Sequence, residues 1–257
     1  MKFTEYGKKD GDTVILLHGA GLSWWNYKKE AELLADRFHV ILPVLDGHEG
    51  SDRPFTSIKS AAEEIIGFID TCCGGSVLAI GGLSLGGQIL LEIAARRNRI
   101  SRFFLFESTL AIPMRVTAAF IPSSVSISYP LIKHKWFSKL QAKTLGIPAD
   151  LFETYYESSI QISKESLSRM LLENAAFMPA SSIKETNALV IVGSEERRIM
   201  RRSARKLNEM IEGSKLRIFP GYKHGELSLR HPEEYVALLV KMIDGNSEQI
   251  TYGGCEI

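Results

Sequence analysis

The chain has 257 residues, of which 45% are hydrophobic and 24% charged, and its formal net charge is +1. This length allows one α/β domain or two small ones, with a large buried core. The balanced charge gives no indication of a nucleic-acid partner or of a general attraction to anionic membranes.

The sequence has no features of a membrane-spanning or secreted protein. No apolar run approaches the roughly 20 residues that a membrane-spanning helix needs. The N-terminus lacks the apolar segment of a secretory signal. Three cysteines, Cys72, Cys73 and Cys255, match neither a disulfide framework nor the spacing of a zinc site. We therefore expect reduced thiols and a cytoplasmic location.

Short apolar segments alternate with amphipathic stretches along most of the chain. The apolar segments predict strands at 13–17, 39–44, 76–81, 101–107, 188–192 and 215–219. Helical periodicity predicts helices at roughly 25–36, 58–71, 87–97, 197–212 and 232–243. This alternation is typical of a mostly parallel sheet with helices on both faces.

Ser84 lies between a predicted strand and a predicted helix, in the segment Ile-Gly-Gly-Leu-Ser84-Leu-Gly-Gly. A serine on such a sharp turn carries its hydroxyl at the tip, in a strained backbone conformation. Gly82 and Gly86 flank it because side chains at these positions would collide as the chain doubles back. The segment is a nucleophile elbow, and it resembles the α/β-hydrolase family.

One long interval, between the strand ending near Glu107 and the strand beginning near Ala188, contains helical patterns but no convincing strand. An insertion of this length in an α/β alternation indicates a helical cap over the functional edge of the sheet. Packing helices that only thicken the domain are the alternative. We therefore predict a core of residues 1–109 and 182–257 and a helical lid at 110–181, called the lid segment below.

His224 follows the last predicted strand, in a loop before the last helix. The carboxyl ends of parallel strands lie at one edge of a sheet, so this loop is expected beside Ser84. A serine hydroxyl needs an adjacent base, and His224 is the best candidate for the general base. The alternative is a loop histidine bonded to local backbone.

The resemblance to α/β-hydrolases extends over nearly the whole chain. A His-Gly-Ala-Gly loop at 18–21, the Ser84 elbow, the insertion, an acidic turn and the His224 loop follow one another in the order of that family. The resemblance implies the α/β-hydrolase fold, with the insertion as a lid that shapes the substrate pocket. The fold class is thus a mostly parallel sheet with a helical cap.

The third catalytic residue follows from this resemblance. The family usually has Gly-x-x-Asp after the strand predicted here at 188–192, and that aspartate matches Glu196. Glutamate departs from the commoner aspartate, but the fold accepts either. Glu195 is an alternative because a one-residue shift in the turn would exchange the two side chains. Glu107, at the end of the strand 101–107, is a second alternative.

An oxyanion hole needs two donors, and the backbone N–H of Leu85, at the start of the elbow helix, is one candidate. By resemblance to the His-Gly-x loop of the family, Ala20 supplies the second. Candidate substrate-binding residues are Gly19, Trp24, Met114 and Trp136; burial of Trp24 in the core is its alternative.

These residues predict a serine hydrolase that cleaves a small carboxylic ester through an acyl-enzyme, most simply a carboxylesterase. The same triad serves thioesterases and C–C bond hydrolases, and the fold does not distinguish them. A ligand-binding relative that hydrolyses slowly or not at all is a further alternative. We expect a small ester or thioester as the partner, no cofactor or metal, no nucleic acid, and a monomer or homodimer.

Overall fold

A computed structural model describes residues 1–180, 183 and 187–245 of the chain. Within these residues, seven strands form one sheet in the order β1-β3-β2-β4-β5-β6-β7. β1 is antiparallel to β3 and all other pairs are parallel. The strands are Lys2–Tyr6 (β1), Thr13–Leu17 (β2), His39–Val44 (β3), Val77–Leu83 (β4), Ser101–Glu107 (β5), Asn187–Gly193 (β6) and Lys215–Phe219 (β7).

The register of the central strands brings distant segments to one edge of the sheet. Leu17 of β2 lies opposite Gly82 of β4, and Leu83 lies opposite Glu107 of β5. Because these strands are parallel and end together, the segments that follow them begin side by side. Loop 18–21, Ser84 and the turn after β5 therefore emerge at the same edge.

The six predicted strands are present within two residues of their predicted bounds, and β1 is a seventh that the sequence analysis missed. β1 pairs with β3, with Lys2 opposite Val44. Its five side chains are exposed or half-buried, as at a sheet edge. A strand with so little apolar surface to bury has no apolar run in its sequence, which is the signal used for the others.

Ten α-helices surround the sheet in the described part of the chain. They are Lys28–Leu34 (α1), Ile58–Cys72 (α2), Leu85–Arg96 (α3), Arg115–Ser128 (α4), Lys135–Thr144 (α5), Phe152–Ser159 (α6), Lys164–Ala176 (α7), Arg198–Met210 (α8), Glu226–Arg230 (α9) and Pro232–Ile243 (α10). The predicted helix at 25–36 starts as a 3-10 turn at Trp24–Tyr27 and continues as α1. The short α9 was not predicted.

Helices cover both faces of the sheet, as the alternation predicts. On one face, Ile65 of α2, Ile89 of α3 and Leu207 of α8 belong to one buried cluster with strand residues. On the other face, Leu34 of α1 and Leu239 of α10 belong to a second cluster. The apolar strands are therefore buried from both sides, which fixes the sheet edge that carries Ser84.

Helices α4 to α7 lie between β5 and β6, inside the lid segment. The lid segment is hydrogen-bonded to the core through Gln88 of α3 and Asn174 of α7, whose side chains bond to each other at 2.8 Å. Residues 181 and 182 lie outside the described residues, so the boundary between core and lid there stays a prediction. No helix in the described part of the chain is both long and apolar enough to cross a bilayer.

Candidate active site

Ser84 occupies a sharp turn between β4 and α3, with φ 52° and ψ −106°. A non-glycine residue with positive φ is strained, and such strain concentrates at functional sites. Gly82 and Gly86 are needed by close approach: a Cβ on Gly82 would lie 2.6 Å from the carbonyl carbon of Gly86, and a Cβ on Gly86 would lie 2.1 Å from the Leu17 carbonyl oxygen. The turn therefore packs directly on the end of β2, and half-buried Ser84 stays accessible.

The two predicted oxyanion donors are backbone N–H groups of Ala20 and Leu85. Within the described residues, neither donates a hydrogen bond to another protein group. Ala20 is half-buried in the loop after β2, and Leu85 is the first residue of α3. An N–H at a helix start is unpaired and lies at the positive end of the helix dipole, which favours a developing oxyanion.

Two buried histidines hold the loop that contains Ala20. His18 donates from Nδ1 to the Gly19 carbonyl at 2.9 Å and accepts at Nε2 from the Leu45 N–H at 3.2 Å. His48 accepts at Nε2 from the Gly21 N–H at 3.2 Å. Burial lowers the pKa of His18 well below its ordinary value and that of His48 to about 4. Both imidazoles are neutral at neutral pH and act as braces.

His224 lies in the loop after β7 and contacts Glu196, which lies in the turn after β6. The imidazole Nδ1 is 2.8 Å from Glu196 Oε2. The other carboxylate oxygen, Oε1, accepts from the Gly193 N–H at 3.0 Å and from Ser108 Oγ at 2.7 Å. Burial alone would raise the pKa of Glu196, but the hydrogen bonds with His224, Gly193 and Ser108 hold it below its ordinary value. Glu196 is therefore an ionised carboxylate with three hydrogen-bond partners, as the proposed triad acid requires.

Neither of the two alternative acids is hydrogen-bonded to His224 within the described residues. Glu195 is exposed, and its N–H donates to the Tyr222 carbonyl at 3.0 Å. Glu107 is buried, and its Oε1 accepts from the Ser228 N–H at 3.2 Å. The geometry supports Glu196 over both as the proposed triad acid.

The histidine loop packs against the residue that precedes Ser84. A Cβ on Gly225 would lie 3.1 Å from Leu83 Cδ1, so the backbone next to His224 touches the end of β4. The Ser84 N–H in turn donates to the Glu107 carbonyl at 2.9 Å, one residue before Ser108. The structure thus gathers Ser84, His224 and Glu196 at one edge, with the imidazole directly on the carboxylate.

The four candidate substrate-binding residues differ in how far they are buried. Gly19 is buried, while Trp24 and Met114 are half-buried and pack against the two core clusters. Trp136 lies on α5 with its indole edge-on to Phe137, exposed to solvent on the outside of the lid segment. The exposed position of Trp136 offers a substrate no burying surface, so we retain only the other three as proposed substrate-binding residues.

Comparison with known proteins decides the family. A sequence model described as "Alpha/beta hydrolase family" matches residues 14–238, which is most of the chain. The chain belongs to the α/β hydrolase family. Among curated relatives, the hydrolase is 30% identical over 96 residues to an AB hydrolase superfamily protein, YfhM, from Bacillus subtilis. The aligned segments cover about a third of this chain and about a third of the length of the curated relatives that it matches.

Solved structures agree with this fold. The hydrolase resembles a thermophilic esterase from Thermogutta terrifontis with a TM-score of 0.77 and 18% identity, covering 95% of this chain and 93% of that one. It also resembles a meta-cleavage product hydrolase from Pseudomonas fluorescens, with a TM-score of 0.72 and 20% identity, covering 96% and 94% of the two chains. At this identity the likeness extends to the fold alone, so the α/β-hydrolase fold class is confirmed and the substrate is not.

Ser108 is a further residue of the candidate site that the sequence analysis missed. It follows β5, is buried, and has φ 49°. Its hydroxyl donates to Glu196 Oε1 at 2.7 Å and accepts from the Gly225 N–H at 3.0 Å. One side chain therefore joins the acidic turn to the histidine loop. No motif surrounds Ser108, so only its position in space reveals this role.

We expect Ser108→Ala to lower kcat about tenfold with KM nearly unchanged, because a hydrogen bond to a charged group is lost and the carboxylate is less firmly held. Steady-state kinetics on an ester substrate measures this. Ser101→Ala is the matched control, since Ser101 is also buried in β5 and its hydroxyl donates to the Phe103 carbonyl at 2.8 Å. Equal losses of kcat in both variants would contradict a positioning role for Ser108.

Glu107 forms part of a buried polar cluster below the site, together with Tyr27, Tyr235 and Glu30. Within the described residues, Glu107 Oε2, both Glu30 carboxylate oxygens and both tyrosine hydroxyls have no hydrogen-bond partner. Burial raises the pKa of Glu107 to about 7, against the opposing effect of hydrogen bonding by the side chain and backbone of Ser228. A carboxyl group that is about half protonated at pH 7 is a weaker partner for an imidazolium than a fully ionised one, which further supports Glu196 as the proposed acid.

The raised pKa of Glu107 predicts a pH dependence of stability. The folded pKa lies above the ordinary value of 4.5, so the folded state binds more protons and its stability falls as pH rises from about 4.5 to 7. Titration of Glu107 should change the free energy of unfolding by about 3 kcal/mol over this pH range. We expect the free energy of unfolding of the wild type to fall by this amount relative to Glu107→Gln, measured by urea unfolding across this pH range.

Comparison with the variant removes the titration of Glu107. Glu30 is present in both proteins, and burial is the largest cause of its raised pKa, with a smaller effect of the Glu107 charge. Glu63→Gln is the control, since Glu63 is a surface carboxylate paired with Arg96 at 2.7 Å. A difference between wild type and Glu107→Gln that stays constant from pH 4.5 to 8 would show that Glu107 ionises normally.

Other potential sites in the hydrolase lie away from Ser84. Within residues 1–180, 183 and 187–245, no group of three or more His, Cys, Asp or Glu side chains is placed to hold a metal ion. A surface cavity of about 870 Å³ is lined by Ser76, Arg97, Arg102 and Asn187 among others. Ser76, Arg102 and Asn187 lie at the amino-terminal ends of β4, β5 and β6 and Arg97 at the end of α3, on the opposite edge of the sheet from Ser84. The cavity is not part of the candidate active site.

Proposed function

We propose that this protein is a serine hydrolase that cleaves a small carboxylic ester through an acyl-enzyme, as a carboxylesterase. The observation that carries the proposal is the 2.8 Å contact of Glu196 with His224, at the sheet edge where Ser84 occupies a strained elbow. The family supplies the general hydrolase character, and these side chains supply the chemistry.

In the proposed reaction, the Ser84 Oγ attacks the acyl carbon while His224 Nε2 takes the hydroxyl proton. Glu196 accepts a hydrogen bond from Nδ1, which keeps the imidazole in the tautomer with a free Nε2 and stabilises the imidazolium. The Ala20 and Leu85 N–H groups donate to the carbonyl oxygen as negative charge develops. His224 then gives its proton to the leaving alcohol oxygen as the C–O bond breaks.

The second half of the reaction repeats these steps with water. His224 Nε2 removes a proton from water, the resulting hydroxide attacks the acyl-Ser84 carbon, and the proton returns to Ser84 Oγ as the acid leaves. Apart from the attacking water, every reacting group in these steps belongs to the chain or to the ester. Gly19, Trp24 and Met114 are proposed to contact the substrate, and the lid segment at 110–181 is proposed to cover it. A cytoplasmic location is likewise part of the proposal.

Turnover of a short p-nitrophenyl ester by the purified chain tests this function, beside a thioester of the same acyl group. We expect sustained hydrolysis of the ester, faster than that of the thioester. Preference for the thioester would assign a thioesterase instead. A single burst of p-nitrophenol without turnover would identify a slow, ligand-binding relative, and no reaction from folded protein with either substrate would overturn the proposal.

A further inference from the structure

The lid segment carries most of the large apolar side chains that are exposed in the described part of the chain. Nine of the twelve large apolar side chains that are exposed in the described part of the chain lie within residues 110–181. On α4, Val116 is 75% exposed, Phe120 66% and Ile127 78%; on α5, Trp136 is 63% exposed and Leu140 58%. Exposed apolar residues that cluster in this way mark a surface that contacts something other than water.

The charged residues of the lid segment are also unusually distributed. Residues 116–132, which contain most of α4, include no Lys, Arg, His, Asp or Glu. A water-exposed helix normally carries charged residues on its outer face. The wider stretch 110–149 contains five cations and no acidic residue, although the whole chain has a net charge of only +1. The five cations are Arg115, Lys133, Lys135, Lys139 and Lys143.

These cations are exposed, and most lack an acidic partner. Lys135 is paired with Glu153 at 2.6 Å, and Lys139 lies 5.6 Å from the centre of the Phe152 ring. Arg115, Lys133 and Lys143 form no ion pair within the described residues. On α5, the exposed Trp136 and Leu140 alternate with Lys139 and Lys143, so apolar and basic side chains share the outer surface.

We propose that the outer surface of α4 and α5, called the lid face, binds reversibly to an anionic lipid surface. Helices that lie at a membrane interface combine apolar side chains, which enter the headgroup region, with cations, which attract anionic lipids. The lid face has both and carries no opposing acidic residue. A neutral apolar partner would leave the excess positive charge unused and a purely polar acidic partner would leave the apolar side chains unused, whereas an anionic bilayer uses both. This binding is independent of the proposed catalytic chemistry.

The test is co-sedimentation of the full chain with phosphatidylcholine vesicles, with and without phosphatidylglycerol. We expect binding to the anionic vesicles only, weakened by added salt. Lys133→Gln with Lys143→Gln should weaken binding about 30-fold, since two cations near the surface are removed. Phe120→Ser with Ile127→Ser should weaken it at least tenfold through lost apolar insertion. Leu33→Ser with Ile218→Ser is the control pair, because both residues are exposed outside the lid segment.

Hydrolysis of a soluble ester by each variant separates this inference from the proposed function. We expect unchanged rates, so that lipid binding is lost while catalysis is retained. Failure to bind anionic vesicles, or equal binding to neutral vesicles and to anionic ones, would overturn the inference. A concentration-dependent dimer that Phe120→Ser with Ile127→Ser abolishes, in protein that does not sediment with vesicles, would assign the lid face to a second copy of the chain instead.

Discussion

Ser84→Ala should abolish sustained ester hydrolysis, with kcat lowered by about 10⁴- to 10⁶-fold. Without the hydroxyl there is no atom to form the acyl-enzyme, and the oxyanion donors and substrate contacts alone give only slow reaction with water. Stability should be retained or slightly increased, because Ser84 is half-buried and the strained turn does not depend on its side chain.

Two measurements check the Ser84 prediction. Steady-state turnover of a p-nitrophenyl ester gives the loss of rate, and intact mass after brief exposure to the ester gives the acylated fraction, which should be zero in the variant. Ser124→Ala is the matched control, since Ser124 is exposed on α4 and its hydroxyl donates only to the Phe120 carbonyl. Hydrolysis that survives in Ser84→Ala at the wild-type rate would show that another residue is the nucleophile.

Glu196→Gln should lower kcat about 10³- to 10⁴-fold, which is the second largest effect we expect. In the wild type, Oε1 accepts two hydrogen bonds and Oε2 faces His224 Nδ1. Because Ser108 Oγ and the Gly193 N–H both donate to the Oε1 position, the carbonyl oxygen of the glutamine should occupy that position. The glutamine NH₂ group then faces His224 Nδ1. The imidazole then accepts at Nδ1 and carries its proton on Nε2, where it can no longer take the proton of Ser84.

The Glu196 prediction has a control one residue away. Glu195→Gln makes the same chemical change on an exposed side chain and should leave kcat within about twofold of the wild type, as surface substitutions away from a site usually have small effects. Glu107→Gln completes the series. A large loss of kcat in Glu107→Gln with normal rates in Glu196→Gln would show that the triad acid is Glu107, at the end of β5.

Much of this arrangement can be predicted from the sequence, because its signals are local. Ser84 lies between glycines whose absent side chains the tight turn requires, and His224 follows a clear apolar strand. Such patterns depend on a few neighbouring residues. The sequence therefore predicts the α/β-hydrolase fold and the loops that carry the candidate site.

What the sequence does not predict depends on register or on contacts between distant segments. Glu195 and Glu196 differ only in which way the turn after β6 points each side chain. Ser108 acts through hydrogen bonds to Glu196 and Gly225, residues 88 and 117 positions away. β1 has no apolar run because an edge strand buries little. None of these features leaves a periodic or local signal.

The contacts of α7 limit how the lid segment can move. Four hydrogen bonds tie α7 to the core: two between Gln88 and Asn174, one from the Phe55 N–H to Ser166 Oγ, and one from the Ile58 N–H to Glu173 Oε2. At about 1 kcal/mol each, these four bonds alone would limit a swing of α7 away from the sheet to at most about one molecule in a thousand. Although α7 belongs to the lid segment in sequence, it therefore behaves mechanically as a wall of the core.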